Sequence, residues 1–247
     1  MFLSFFKARV RLHAARVFEK ILGSQYEGEV FICGGAFQPL VQRKAPVNDM
    51  DLWVRDRRER EKLTRHLLSR GAVLARETHP YGLKLRLDGR LIEITYHNVK
   101  DGALADVLHT FDLAIRGIGA RFEKSRVAEV QVTEECWKSI RRRQIQVQSS
   151  YLFAVHEWRS PGIILTLHRM GQQASELDFD VDVAHEHLLW ETFWSQYSEE
   201  ERRAAMEIYF AATASSRGST AEQISRAAIQ SAETGSYQLP ALTPQVA

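Results

Sequence analysis

The chain has little cysteine and almost no excess of either charge, and each shortage removes a class of protein. Its two cysteines, Cys33 and Cys136, are spread over 247 residues. Two isolated thiols, one in an apolar strand-like run and one in a helix-like stretch, make neither a zinc-binding spacing nor a disulfide framework. A reducing, cytoplasmic setting is therefore expected. The 33 Lys and Arg against 31 Asp and Glu leave a net charge of +2, so no global field calls for nucleic acid, a membrane surface or an acidic substrate. Local patches must carry any such partner. No apolar run is long enough to span a bilayer, and the opening MFLSFF gives way at once to Lys7, Arg9 and Arg11 instead of the apolar stretch of a signal peptide. No membrane partner is expected on these grounds. Phe2, Phe5, Phe6 and Val10 nevertheless share a helical face that would suit a membrane surface or, as the simpler reading, a protein core. There is no internal repeat, no low-complexity block and no legible Ser-His-Asp or Cys-His order.

What is present is an alternation of helical and strand periodicities. The stretch ARVRLHAARVFEKILG carries Val10, Ala14, Val17 and Ile21 at helical spacing and stops at Gly23. EVFIC then reads as a buried strand running into Gly34-Gly35. After a loop holding Pro39 and Pro46, DMDLWV alternates: Asp49, Asp51 and Trp53 share one face, and Met50, Leu52 and Val54 the other. A charged helix follows, RREREKLTRHLLSRG, with Leu63, Leu67 and Leu68 as its buried stripe and Gly71 as its stop. Strands are expected in LAIRGIGARF and AEVQV, and TEECWKSIRRR has Thr133 as N-cap, an acidic first turn and a basic last turn. From about Tyr151 the pattern is mostly helical. The fold class is α+β: a mixed sheet with flanking helices over residues 1–148, an all-helical region over 149–235, and a tail, 236–247, that frays.

The stretch GLKLRLDGRLIEITYH is the most legible. Asp88-Gly89 between two alternating runs predicts a two-residue hairpin in which Leu87 faces Arg90 and Lys84 faces Glu93. That register puts Leu83, Leu85, Leu87, Ile92 and Ile94 on the core face and Lys84, Arg86, Glu93 and Thr95 on the other. Asp49, Asp51 and Glu93 then form three hard oxygen donors on two strands. Such a set suits two Mg²⁺ (or Mn²⁺) ions in phosphoryl chemistry. Gly34 and Gly35 would let backbone amides approach a triphosphate, with Arg43, Lys44, Lys84 and Arg86 as the phosphate-facing charge.

These residues resemble the nucleotidyltransferase superfamily of DNA polymerase β, and within it the head domain of bacterial-type tRNA CCA-adding enzymes and poly(A) polymerases. CGGAFQPLVQRKAPVNDMDLWV lines up with that family's Gly-Gly, variable loop and Asp-x-Asp strand, and GLKLRLDGRLIEITYH looks like its hairpin with the third acid. HTFDLAIRGIGARF is similar to its ribose-contacting segment, and PGIILTLHRMGQQASELDFDVD to its first neck helix. The resemblance runs from about Val17 to Asp182, with the first two segments the specific ones. It implies that Asp49 and Asp51 ligate both metal ions and Glu93 completes the site, that Gly34 and Gly35 contact the triphosphate, and that Asp112 meets the ribose. The implied activity is transfer of a nucleoside monophosphate from a nucleoside triphosphate to a hydroxyl, on an RNA 3′ end, a small molecule or a protein. Three departures stand beside it. Phe37-Gln38 replaces the family's phosphate-holding arginine, Thr110-Phe111 and Arg116 replace its Arg-Arg and asparagine, and Arg159-Ser160-Pro161-Gly162-Ile163 replaces its base-reading Glu-Asp-x-x-Arg. The alternative reading is a catalytically degenerate module that keeps the fold for nucleotide sensing or protein interaction.

Other patterns have simpler explanations. His185-Glu186-His187 sits at i and i+2, which do not face each other on a helix, and reads as a solvated helix start. His168-Arg169 suits either a core edge or contact with a base or phosphate. Arg141, Arg142 and Arg143 with Lys138 suit an acceptor's phosphates, and equally the C-terminal end of a helix dipole. Trp190, Phe193, Trp194 and Tyr197 form a packing stripe.

Overall fold

Apolar residues recur every three or four positions in the first helix and every second position in the strands, and packing of the one set on the other builds the main layer. The computed structural model describes residues 2–43, 49–79, 82–96, 103–157 and 162–214. In chain order the elements are α1 (Leu3–Ile21), β1 (Val30–Cys33), a 3-10 turn (Gly34–Phe37), α2 (Gln38–Val41), β2 (Asp49–Trp53), α3 (Arg57–Ser69) and β3 (Val73–His79). There follow β4 (Gly82–Leu87), β5 (Arg90–Thr95), α4 (Leu104–Leu108), a second 3-10 turn (Ala114–Arg116), β6 (Ile118–Glu123), β7 (Arg126–Val132) and α5 (Glu134–Arg142). The chain continues through β8 (Gln144–Ile145), α6 (Ser149–Glu157), α7 (Gly162–Leu177), β9 (Asp180–Val181), α8 (Val183–Gln196) and α9 (Glu199–Ala214).

Seven strands form one mixed sheet in the order β3-β4-β5-β2-β1-β6-β7. β2 and β5 run parallel, and the other neighbours run antiparallel. One face packs on α1 and α3: Phe6, Val10, Ala14, Phe18, Leu63 and Leu67 meet Val30, Ile32, Met50, Leu52, Leu85, Ile92, Ile94, Ala120 and Phe122. Phe18 stacks on Phe122 with ring centroids 4.4 Å apart, and losing a phenyl from such a core costs about 3–5 kcal/mol. On the other face, α4 covers Phe31, Cys33 and Gly119 through Leu104, Val107 and Leu108. The polar row described below occupies the part of that face toward β5 and β4.

Local chemistry explains the joints. Asp88 and Gly89 both take positive φ, 49° and 76°, as a primed hairpin turn requires. Leu87 faces Arg90 and Lys84 faces Glu93, in the expected register. Asp56 caps α3 by accepting from the Glu59 amide at 2.9 Å, and Thr133 caps α5 by accepting from Cys136 at 3.1 Å. Three expectations shift. Leu68 is exposed rather than part of the α3 stripe. Phe6 and Val10 are core residues, whereas Phe2 and Phe5 are exposed. The edge strand β3 has no counterpart in the sequence reading, because Val73 and Leu74 are both 59% exposed and give no alternation of burial.

The helices after β8 pack around Ile163, Leu167, Met170, Leu189, Phe193 and Met206, and Leu113, Ile115, Ile145 and Val147 from the sheet side join the same cluster. The short parallel pair β8 and β9 ties the two layers, with Gln144 opposite Asp180. Trp190, Phe193, Trp194 and Tyr197 pack on one another, and Trp190 also meets Tyr209. The expected tail, 236–247, lies outside the described residues. Among the described residues, no helix is long and apolar enough to cross a membrane.

Candidate active site

Directly paired residues in a sheet point to the same face. The registers line up Lys84 on β4, Glu93 on β5, Asp51 on β2, Cys33 on β1 and Gly119 on β6 as one row. The parallel pairing of β2 and β5 sets Asp51 opposite Glu93. Lys84 Nζ lies 2.9 Å from Glu93 Oε2, with the two side chains 14% and 20% exposed, so the pair is largely removed from bulk water. Asp51 is half-buried beside Cys33. Burial pushes the Cys33 thiol well above its ordinary pKa, and the neighbouring Asp51 charge pushes it further, which makes Cys33 a spacer under the site rather than a nucleophile.

The Gly34 backbone closes one side of this row. Its φ is +64°, a conformation that glycine adopts without strain. A Cβ built there would sit 3.2 Å from the Phe111 ring and 3.8 Å from Asp51 Oδ2. Main chain, carboxylate and ring thus meet with no side chain between them. Phe111 also meets Trp53 edge-on at 6.0 Å. Gly35 is buried in the same 3-10 turn, and its carbonyl accepts from the Gln38 amide.

The remaining expected residues fall in different places. Asp49 begins β2, two positions before Asp51, and pairs with Leu91; its side chain lies outside the described residues, as does Lys44. Arg43 is exposed after α2, and Arg86 is exposed two residues along β4 from Lys84. Among the described residues no group of three His, Cys, Asp or Glu side chains is placed to hold a metal ion, and that set excludes the Asp49 carboxylate. Asp51 and Glu93, set opposite each other by the register, are oxygen donors of the kind that could hold a hard divalent cation.

Asp112 follows Phe111 and forms a second polar cluster against α7. Arg169 Nε donates to its Oδ2 at 2.8 Å, and Arg169 Nη2 donates to the same oxygen. Thr166 Oγ1 lies 2.8 Å from that oxygen and 3.0 Å from the Tyr151 hydroxyl. The Leu113 amide donates to Oδ1 at 2.9 Å. The Asp112 side chain is 11% exposed. One turn further along α7, Gln173 accepts from Gln38 and donates to Glu176 at 2.7 Å. Gln38, which stands near the expected phosphate arginine, is thereby turned toward the helical layer. Thr166, Arg169 and Gln173 share a helical stripe that sequence reasoning left unassigned apart from Arg169. The expected base-reading stretch, Arg159 to Ile163, lies outside the described residues as far as Pro161. His168, adjacent to Arg169, meets Tyr209 edge-on at 6.1 Å; burial lowers its pKa, and Arg169 lowers it further.

The other motifs resolve simply. His185 Nδ1 accepts from the Val147 amide at 3.1 Å, and His187 pairs with Glu191 at 3.1 Å, so the His-Glu-His run is structural. Glu134, Trp137, Lys138, Arg141 and Arg142 line an open groove of about 420 Å³ along α5, and Arg143 turns away to Asp178 at 2.8 Å.

No family model matches the chain, and no curated protein sequence matches it. Solved structures do. A complex of a CCA-adding enzyme with CTP superimposes with a TM-score of 0.58 at 15% identity, covering 94% of this chain and 54% of that one. The Thermotoga maritima CCA-adding enzyme complexed with tRNA gives 0.55 at 14% identity, over 84% and 50%. A tRNA nucleotidyltransferase complexed with a primer tRNA and an incoming ATP analogue gives 0.55 at 15% identity, over 89% and 60%. The chain spans about half the length of the solved structures it matches. It has the nucleotidyltransferase fold: a seven-stranded mixed sheet with flanking helices, continued by helices.

Proposed function

We propose that the protein transfers a nucleoside monophosphate from a nucleoside triphosphate to a hydroxyl acceptor. The observation that supports this reading most is the register that sets Asp51 opposite Glu93 beside the bare backbone of Gly34. Asp49, Asp51 and Glu93 would hold Mg²⁺ or Mn²⁺. When bound, such ions neutralise phosphate charge and acidify the attacking hydroxyl. Gly34 and Gly35 give the triphosphate access to main-chain amides, and Lys84, Arg86, Arg43 and Lys44 supply cations along its path. Asp112 offers a carboxylate for the ribose hydroxyls, oriented by Arg169 and Thr166. In the reaction the acceptor oxygen bonds to the α-phosphorus as the bond to pyrophosphate breaks in line, and the acceptor's proton is lost.

The fold neighbours in complex with tRNA, CTP and an ATP analogue make an RNA 3′ end the first acceptor to test. The groove of Trp137, Lys138, Arg141 and Arg142 is the natural place for its phosphates. In this reading residues 1–148 carry the chemistry, and residues 149–235 brace the nucleotide side through α7. A second reading, a degenerate module that retains the fold for nucleotide sensing or protein interaction, is favoured by the Lys84–Glu93 ion pair, which neutralises the third acid internally.

Incubation with Mg²⁺, each α-labelled nucleoside triphosphate in turn, total RNA and cell extract separates the two. Label in RNA, protein or a small molecule establishes transfer and names the acceptor. Nucleotide binding without label in any fraction supports the degenerate module.

A further inference from the structure

The first helix has two apolar stripes, and the core uses one of them. Phe6, Val10, Ala14, Phe18 and Ile21 face the sheet. On the opposite side Phe2, Phe5, Arg9, Leu12, Arg16 and Lys20 follow one another at intervals of three or four residues, the spacing of a single helical face. Phe2, at the N-cap, is 84% exposed, Phe5 60% and Leu12 55%. Single exposed apolar residues need no explanation. Three large ones along one stripe, interleaved with cations, make a patch that marks a contact surface.

We infer that this stripe docks the protein on an anionic lipid surface. Phenyl rings and a leucine at one face suit the boundary between head groups and acyl chains, and Arg16 and Lys20 on the same face suit head-group phosphates. Charge complementarity selects this occupant. A second copy of the chain, packed on the same stripe by a two-fold axis, would bring basic side chains against basic side chains. RNA would answer the cations and leave the aliphatic Leu12 without a partner. The helix lies along the surface rather than across it, consistent with the lack, among the described residues, of any helix suited to span a membrane. This inference stands apart from the proposed transferase activity.

Co-sedimentation of the full chain with vesicles tests it. Vesicles of phosphatidylglycerol and phosphatidylcholine should bring the protein down, and phosphatidylcholine alone should not. Phe2→Ser/Phe5→Ser and Arg16→Glu/Lys20→Glu should each weaken partition by about tenfold or more. All four side chains are exposed, so melting curves should match the wild type, and replacing the serines by leucine, as Phe2→Leu/Phe5→Leu, should retain most of the partition. Absence of wild-type partition into anionic vesicles, or partition unchanged in both double variants, overturns the inference. So does a result in which the same variants abolish binding to a single-stranded RNA, or lower the solution mass from dimer to monomer, while vesicles remain unbound.

Discussion

In the sheet, Glu93 takes its cation from Lys84 within one hairpin; at the edge of the helical layer, Asp112 takes its cation from Arg169, 57 residues later in the chain. Phe111 joins the two clusters, since its ring lies against Gly34 and Trp53 while the next residue is Asp112. The first cluster is held by backbone ladders on both sides and leaves Asp51 and Glu93 side by side. The second is held mainly by side chains, with the Leu113 amide on Asp112 Oδ1, and turns its other carboxylate oxygen to a helix. In the proposed function the first cluster receives the metal and triphosphate, whereas the second ties α7 to the segment after α4. The two clusters are thus joined through a single aromatic residue.

Substitutions that spare one cluster and damage the other test that division. Asp51→Asn and Glu93→Gln keep shape and remove charge. If the sheet row carries the chemistry, each should lower nucleotide transfer by several kcal/mol of barrier, on the order of 10³-fold, with a melting temperature close to wild type. Arg169→Ala should act first on stability, and on transfer only through the orientation of Asp112. It leaves the Asp112 carboxylate enclosed without its cation, at a cost of about 2 kcal/mol in denaturant unfolding. Adding Asp112→Asn should recover part of that loss, because a neutral amide tolerates the site better, and the coupling in a double-mutant cycle measures the brace.

Gly34→Ala probes the contact between the clusters. A side chain at φ +64°, 3.2 Å from the Phe111 ring, should cost about 1–2 kcal/mol of stability and weaken triphosphate binding in equilibrium titration. The smallest expected effect concerns pH. The folded-state pKa of His168 lies below its ordinary value through burial and through Arg169. The unfolded chain therefore takes up the proton more readily. His168 contributes stability that is complete above the ordinary histidine pKa of about 6.5 and declines as pH falls below it. His168→Gln should accordingly lose less melting temperature than the wild type between neutral and acidic pH.

The same contrast explains what the amino-acid sequence made readable. The register of Lys84 and Glu93 followed from Asp88-Gly89 and strict alternation, both local signals, and the structure reproduces it residue by residue; the parallel pairing that sets Asp51 opposite Glu93 is long-range and came only with the structure. The Thr133 cap is local in the same way. Arg169 was legible only as a core-edge or phosphate-contacting residue, and Gln173 carried no mark. Their partners Asp112 and Gln38 are distant in sequence, and a polar stripe on a helix reads equally as solvent-facing until another layer covers it. The strand β3 has no counterpart in the sequence pattern because Val73 and Leu74, adjacent in the chain, are both exposed and impose no period there. Leu68 failed for the opposite reason: an apolar residue next to a buried stripe need not be inside it.

In the proposed function Asp51 and Glu93, facing each other across β2 and β5, form a divalent-cation site serving nucleotide transfer. Calorimetric titration with Mn²⁺, in the presence and absence of a nucleoside triphosphate, tests it most directly. The wild type should bind Mn²⁺ more tightly with the nucleotide present, and Asp51→Asn and Glu93→Gln should each lose that binding while remaining folded. Wild-type protein that binds neither Mn²⁺ nor any nucleoside triphosphate, or Mn²⁺ binding that both substitutions leave unchanged, would contradict the claim.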